Sequence, residues 1–260
     1  MEKKTTSRDG TSLAYQVIGQ GPTVILVSGA MSTGGTMAPL AHRLADRCTA
    51  VVHDRRGRGE SGDTAPYAVE REVEDLAALV EAVGGEAALF GVSSGGALVL
   101  EAAASGLPVR QVAVYEVPFA DHLEGGAERE AVYKENLNKA LGEGRRGDAV
   151  ELFLRLTGLG EEMIRGARQS PMWAGMEAVA PSLAYDDAVM GDGLLPRERL
   201  AAIPVPVLSL VGGASPEWMR EAGRSVAEAV PQGSYHVLEG QTHMVEPAVL
   251  APVLADRFAE

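Results

Sequence analysis

Apolar positions along this chain follow two alternating rhythms. Short unbroken apolar runs recur at Thr23–Ser28, Thr49–His53, Ala87–Phe90, Val109–Tyr115 and Val205–Val211. Runs of this length and continuity predict strands covered on both faces. Between them the spacing changes to that of a helix, most clearly at Val73, Leu76, Ala77, Val80 and Val83 within Val69–Val83. Further helices are expected at about Thr36–Arg47, from Gly96 to about Ala104, at Glu217–Val230 and at Glu246–Phe258, with a short strand at Tyr235–Glu239. Pro247 stands near the first position of the last helix, where its missing N–H costs nothing. At the start, Thr5–Gly10 and Ser12–Ile18 flank Asp9-Gly10, the pattern of a tight hairpin.

The alternation stops after Pro118. From Phe119 to about Ala202 no strand is expected, and helical patterns stand out only around Glu128–Leu141 and Asp148–Leu156. The rhythm resumes with Val205. This divides the chain into an α/β core, residues 1–118 and 203–260, and a helical insertion, 119–202. Strands alternating with helices imply a mostly parallel sheet flanked by helices. Such sheets carry their sites at the carboxyl ends of the strands.

Composition narrows the function. The 260 residues are 46% hydrophobic and 23% charged, ordinary for one globular unit. The formal net charge of −13 repels nucleic acid and anionic membrane surfaces, so neither is expected as a partner. Cys48 is the single cysteine, which leaves no intrachain disulfide or cysteine metal cluster. Neither a signal peptide nor a transmembrane helix is read, and the expected location is the cytoplasm. No metal-ligand spacing and no dinucleotide fingerprint is present, so no cofactor is expected.

The chemistry centres on Gly91-Val92-Ser93-Ser94-Gly95, which follows the Ala87–Phe90 run and opens a helix. Strand, sharp turn and helix with a serine at the turn lift that side chain above the sheet, and the flanking glycines allow the close approach this needs. Ser93 is the candidate nucleophile, and a serine hydroxyl needs a base within hydrogen-bond reach. Of the five histidines, His42 falls in a helix, His53 at a strand end, His122 at the start of the insertion and His236 within a strand. His243 follows the last strand in a turn, Gly240-Gln241-Thr242-His243, before the final helix. From there it can reach over the sheet towards the elbow.

With these features in this order the chain resembles the α/β-hydrolase superfamily over nearly its whole length. The resemblance rests on the elbow, on Gly29-Ala30 after the third strand, on the Asp54–Gly62 loop (DRRGRGESG) after the fourth, and on Gly240–His243. It implies an eight-stranded α/β-hydrolase fold with a helical cap between the sixth and seventh strands. It also implies an oxyanion hole formed by the N–H groups of Ala30 and Ser94, and a structural turn built on Asp54. Where many members carry His this chain has Ser28.

The third catalytic member departs from the family pattern. The usual Asp after the seventh strand is replaced in Gly212-Gly213-Ala214-Ser215. Glu116, at the end of the sixth strand, is the expected acid, as in some haloalkane dehalogenases; Glu217 is the alternative. Dehalogenase chemistry itself needs a carboxylate at the elbow, where Ser93 stands. Asp186, Asp187 and Asp192 lie in the insertion, a poor place for an orienting acid, and Glu246 complements the dipole of the last helix. Met31, Phe119, Trp173, Trp218 and Met244 are candidate walls of an apolar substrate pocket.

The resemblance implies a serine hydrolase acting through an acyl-enzyme on a small to medium, largely apolar ester, lactone or thioester. The same scaffold also supports C–C bond hydrolysis or lyase chemistry, off-loading or cyclisation of a carrier-bound intermediate, or ligand binding without catalysis where a triad has degraded. The identity of acyl and leaving groups and the oligomeric state stay open at this level.

Overall fold

The computed structural model describes residues 2–259. The hairpin forms from β1 (Glu2–Thr6) and β2 (Ser12–Gly19), paired antiparallel. Its turn closes through Ser7 N–H to Thr11 O at 2.8 Å, and Asp9 Oδ1 accepts from Thr11 N–H at 3.0 Å.

Then β3 (Thr23–Val27), α1 (Ala38–Leu44), β4 (Thr49–His53), α2 (Val69–Ala82), β5 (Ala88–Val92), α3 (Ser94–Ala104) and β6 (Val112–Tyr115) alternate. After the insertion come β7 (Val207–Gly212), α10 (Glu217–Ala229), β8 (Gly233–Leu238) and α11 (Pro247–Phe258). The eight strands form one sheet in the order β1-β2-β4-β3-β5-β6-β7-β8, and every pairing from β4 to β8 is parallel.

Alternate residues of β3 show why the apolar runs are continuous. Ile25 and Val27 join a core with Leu76 and Leu79 of α2 and Leu98 and Leu100 of α3. Val24 and Leu26 join a second core with Leu40 and Leu44 of α1 and Leu254 and Phe258 of α11. Successive side chains point to opposite faces of a strand, so a sheet covered on both faces needs apolar residues at every position.

The stretch between β6 and β7 contains α4 (Gly126–Gly142), α5 (Arg146–Leu156), α6 (Glu161–Arg168), α7 (Trp173–Val179), α8 (Leu183–Met190) and α9 (Arg197–Leu200), and no strand among the described residues. It has a small apolar centre of its own, including Tyr133, Leu137, Val150, Trp173 and Leu183. Ala30 and Met31, from the loop after β3, pack against that centre, which seats the helices above the carboxyl ends of the strands.

Candidate active site

Strand order sets the site in a row. Neighbours β3, β5, β6, β7 and β8 end in the loops that carry Ala30, Ser93, Glu116, Ser215 and His243, in that sequence. Adjacent strands lie about 4.8 Å apart, so groups from successive loops come within side-chain reach.

Ser93 caps α3 with φ 56° and ψ −127°, a sparsely populated conformation for a residue with a Cβ, costing of the order of 1–3 kcal/mol. The surroundings enforce it. A Cβ on Gly91 would lie 2.3 Å from Gly95 O, and one on Gly95 would lie 2.5 Å from both Ser28 O and Val27 O. Ser93 N–H donates to Tyr115 O at 3.0 Å, and Ser93 O accepts from Gly96 N–H at 2.9 Å. The loop after β3 comes alongside: a Cβ on Gly29 would lie 3.0 Å from Ser93 Cβ and 3.7 Å from its Oγ. Among the described residues, neither Ala30 N–H nor Ser94 N–H donates to a protein acceptor.

Glu116 follows β6 with φ 47°, a left-handed residue at the carboxyl end of an interior strand. Its side chain is fully buried. Oε1 accepts from Gly212 N–H at 2.7 Å and from Ser215 Oγ–H at 2.5 Å. Oε2 lies 2.8 Å from His243 Nδ1. The imidazole is 44% exposed while the carboxylate beneath it is dry, so the histidine faces solvent on one side and a fixed anion on the other. Its loop is held by Tyr115 O–H, which donates to Thr242 O at 2.6 Å. The loop also lies on Gly212, where a Cβ would meet Gln241 O at 2.3 Å. Glu217 is exposed at the start of α10 and makes no bond to His243.

The other histidines lie elsewhere. His42 and His236 are exposed, and His122 Nε2 meets Ser225 Oγ at 2.9 Å. His53 is buried, and its backbone carbonyl closes on Gly34, where an added Cβ would lie 2.7 Å from it. Burial, and after it the charge of Arg55, push its imidazole down to about 4.

The five apolar pocket candidates separate. Met31 and Trp173 share the apolar centre of the insertion. Phe119 is a core residue beside α3 and borders a hollow of about 130 Å³ with Ala97, Leu100 and Met190. Trp218 is half-buried on α10, and Met244 is 85% exposed. Phe119 and Met244 therefore depart from a shared pocket wall: one is absorbed by the core, the other projects into solvent.

The charged loop after β4 is a turn with a buried network beneath it. Asp54 Oδ1 accepts from Gly34 N–H at 2.7 Å and Oδ2 from Glu60 N–H at 2.8 Å. Arg55 forks onto Glu72 at 2.7 and 2.8 Å and reaches Asp186 at 2.7 Å. Arg56 forks onto Asp75 and also meets Asp9. Arg58 grips both oxygens of Asp186 at 2.8 Å. Asp186, on α8, is the residue that sequence reasoning passed over. Three arginines within four positions after an apolar strand were the available signal, because buried guanidinium groups demand anionic partners.

These elements define an α/β hydrolase. A model of the alpha/beta hydrolase family matches residues 24–253, and the chain belongs to that family. It is 49% identical to an alpha/beta hydrolase from Sphaerobacter thermophilus DSM 20745, with a TM-score of 0.88 over 98% of this chain and 100% of that one. It is 31% identical over 258 residues, 94% of each chain, to the pimeloyl-[acyl-carrier protein] methyl ester esterase of Xanthomonas campestris pv. campestris (strain B100). A thermophilic esterase from Thermogutta terrifontis shares the fold at 24% identity, with a TM-score of 0.71 over 99% of this chain and 96% of that one.

Proposed function

We propose that the protein is a serine esterase in which Ser93, His243 and Glu116 form the catalytic triad. The observation that carries this is the 2.8 Å contact between His243 Nδ1 and a fully buried Glu116 carboxylate, one strand from a serine held in a strained turn. The carboxylate keeps the proton on Nδ1, which leaves Nε2 free as the base. His243 takes the proton of Ser93, whose Oγ attacks the ester carbonyl carbon. The oxygen becomes an oxyanion within reach of the Ala30 and Ser94 N–H groups, each worth about 3–4 kcal/mol of barrier. Protonated His243 then donates to the leaving alkoxide, and water, deprotonated by the same imidazole, releases the acid from Ser93.

Residues 119–202 act as a cap over a core of 1–118 and 203–260, with Met31 and Trp173 at the apolar junction between them. That junction favours a small to medium, largely apolar ester, lactone or thioester. Esterase activity in the Xanthomonas relative supports the reaction class.

A fluorophosphonate probe tests the reading. Ser93 is expected to carry the adduct, and Ser93→Ala to abolish both labelling and turnover of short-chain p-nitrophenyl esters. A wild-type protein that neither labels at Ser93 nor turns over these esters rules the reading out.

A further inference from the structure

We propose that Asp186, supplied by the insertion, and Arg58 form one buried ion pair that positions both donors of the oxyanion hole, so that the hole is assembled only when α8 is seated. The inference rests on the serine-esterase reading above.

Arg58 Nη1 donates to Gly29 O at 2.7 Å and reaches Ser32 O at 3.3 Å. The carbonyl of Gly29 and the N–H of Ala30 belong to a single peptide unit. That unit is planar and trans, so a guanidinium clamped on its oxygen sets the direction of its N–H, on the side away from Arg58. A cationic donor on the carbonyl also polarises the N–H, making it a stronger donor. On the other side, Asp186 Oδ1 accepts from Ser94 Oγ–H at 2.8 Å. Ser94 carries the second N–H at the first turn of α3. One carboxylate thus holds Arg58 behind the first donor and the Ser94 side chain beside the second.

The pair is built to be rigid. Arg58, Asp186 and Ser94 are each at most 5% exposed. Arg55 completes the cluster by bridging Asp186 to Glu72, and Tyr67 O–H donates to Glu72 at 2.9 Å with Tyr185 O, next to Asp186, also within 3.2 Å of the phenol oxygen. Two guanidinium groups face two carboxylates. Burial pushes the Asp186 carboxyl up, but the charges of Arg58 and Arg55 outweigh it and hold the group below its usual range. Lifting α8 would leave two arginines in a dry site with half their counter-charge gone, which ties α8 to the core while other helices of the insertion are free of this restraint. Asp186 and Arg58 are positioning residues: they act through backbone N–H groups and do not touch the reacting atoms.

The test is steady-state kinetics on a short-chain p-nitrophenyl ester with Ser94→Ala, Asp186→Asn and the double variant, each checked by thermal melting. Ser94→Ala keeps the N–H and removes only the hydroxyl link. Its kcat is expected to fall about 10-fold, and that of Asp186→Asn about 100-fold, the scale of an ångström-sized misplacement. KM should stay within about twofold, because the hole acts on charge that develops in the transition state. The double variant should be slowed by less than the product of the two single effects, since both changes weaken the same network around residue 186. A folded Ser94→Ala with wild-type kcat overturns the proposal, and that variant decides it even if Asp186→Asn does not fold. Wild-type protein that fails to label or turn over ester points instead to failure of the esterase reading.

Discussion

Ser215 donates its hydroxyl to Glu116 at 2.5 Å. The residue at the family's usual acid position thus serves the acid that stands one strand away. Oε1 of Glu116 has two donors, Ser215 Oγ–H and Gly212 N–H, and Oε2 faces the imidazole. A buried carboxylate with that many hydrogen-bond partners is fixed in direction. Ser215→Ala removes one bond to a charged group, a loss of about 1.5–3 kcal/mol of local stabilisation. We expect kcat to fall about 5–10-fold while His243 stays in place. Ser215→Asp should be worse at neutral pH: it sets a second carboxylate against the first, and two such groups in contact cannot both stay ionised. A pH profile of kcat/KM for the two variants distinguishes these outcomes.

Glu116→Gln is expected to lower kcat by about 10³-fold or more with little change in KM, the scale seen when a triad carboxylate is replaced by its amide and the wrong imidazole tautomer follows. Glu217→Gln should leave turnover near wild type, because Glu217 is exposed and unconnected to His243. The reverse ranking in the same assay would move the acid to α10.

Gly95→Ala is expected to cost about 3 kcal/mol or more of stability, at the upper end of overpacking effects. The added Cβ would stand 2.5 Å from two carbonyl oxygens, Ser28 O and Val27 O. Backbone atoms cannot rotate away as a side chain would. Gly166→Ala, in α6, meets nothing within 4 Å and should stabilise by about 0.5–1 kcal/mol through helix propensity. Urea unfolding midpoints of the two variants should therefore move in opposite directions.

The parts of the fold that could be read from the chain are those whose determinants are local. The β3 and β5 runs announce two-sided burial in four to six consecutive residues, and the elbow announces itself through glycines that only a crowded turn requires. The expectation at Glu116 comes from the resemblance, which places an acid at the end of the sixth strand in some members, and not from the local pattern. What escaped reading is set by distant partners. α6, α7, α8 and α9 are at most eight residues long, too short for a buried stripe to repeat, and α6 buries only Ile164. Asp186 lies 128 residues from Arg58 in a segment whose own pattern offers no reason to bury a carboxylate. Its place follows from the arginines it neutralises. Ser215 shows the same limit: its neighbours say that the usual acid is missing, while its role depends on a glutamate 99 residues away.

His53 makes stability depend on acid in a window separate from most carboxylates. The ring is 2% exposed and its Nδ1 has no partner. Burial, followed by the nearby charge of Arg55, holds its imidazole at about 4 in the folded protein, against 6.5 ordinarily. The unfolded chain therefore binds the proton more readily between those values. The stability contributed by neutral His53 is full above about pH 6.5, declines as pH falls towards about 4, and is lost below it. The linked free energy is about 3 kcal/mol. Glu72 and Asp186, held below the usual carboxylate range, lose their contribution only at more acidic pH. Asp75, Glu130 and Asp187 are raised and act in the opposite direction, equally in wild type and variant. Comparison with His53→Asn isolates the histidine. Urea midpoints of the wild type should fall more steeply between pH 6.5 and 4.5 than those of His53→Asn, and parallel pH dependences would show that His53 is not the titrating group.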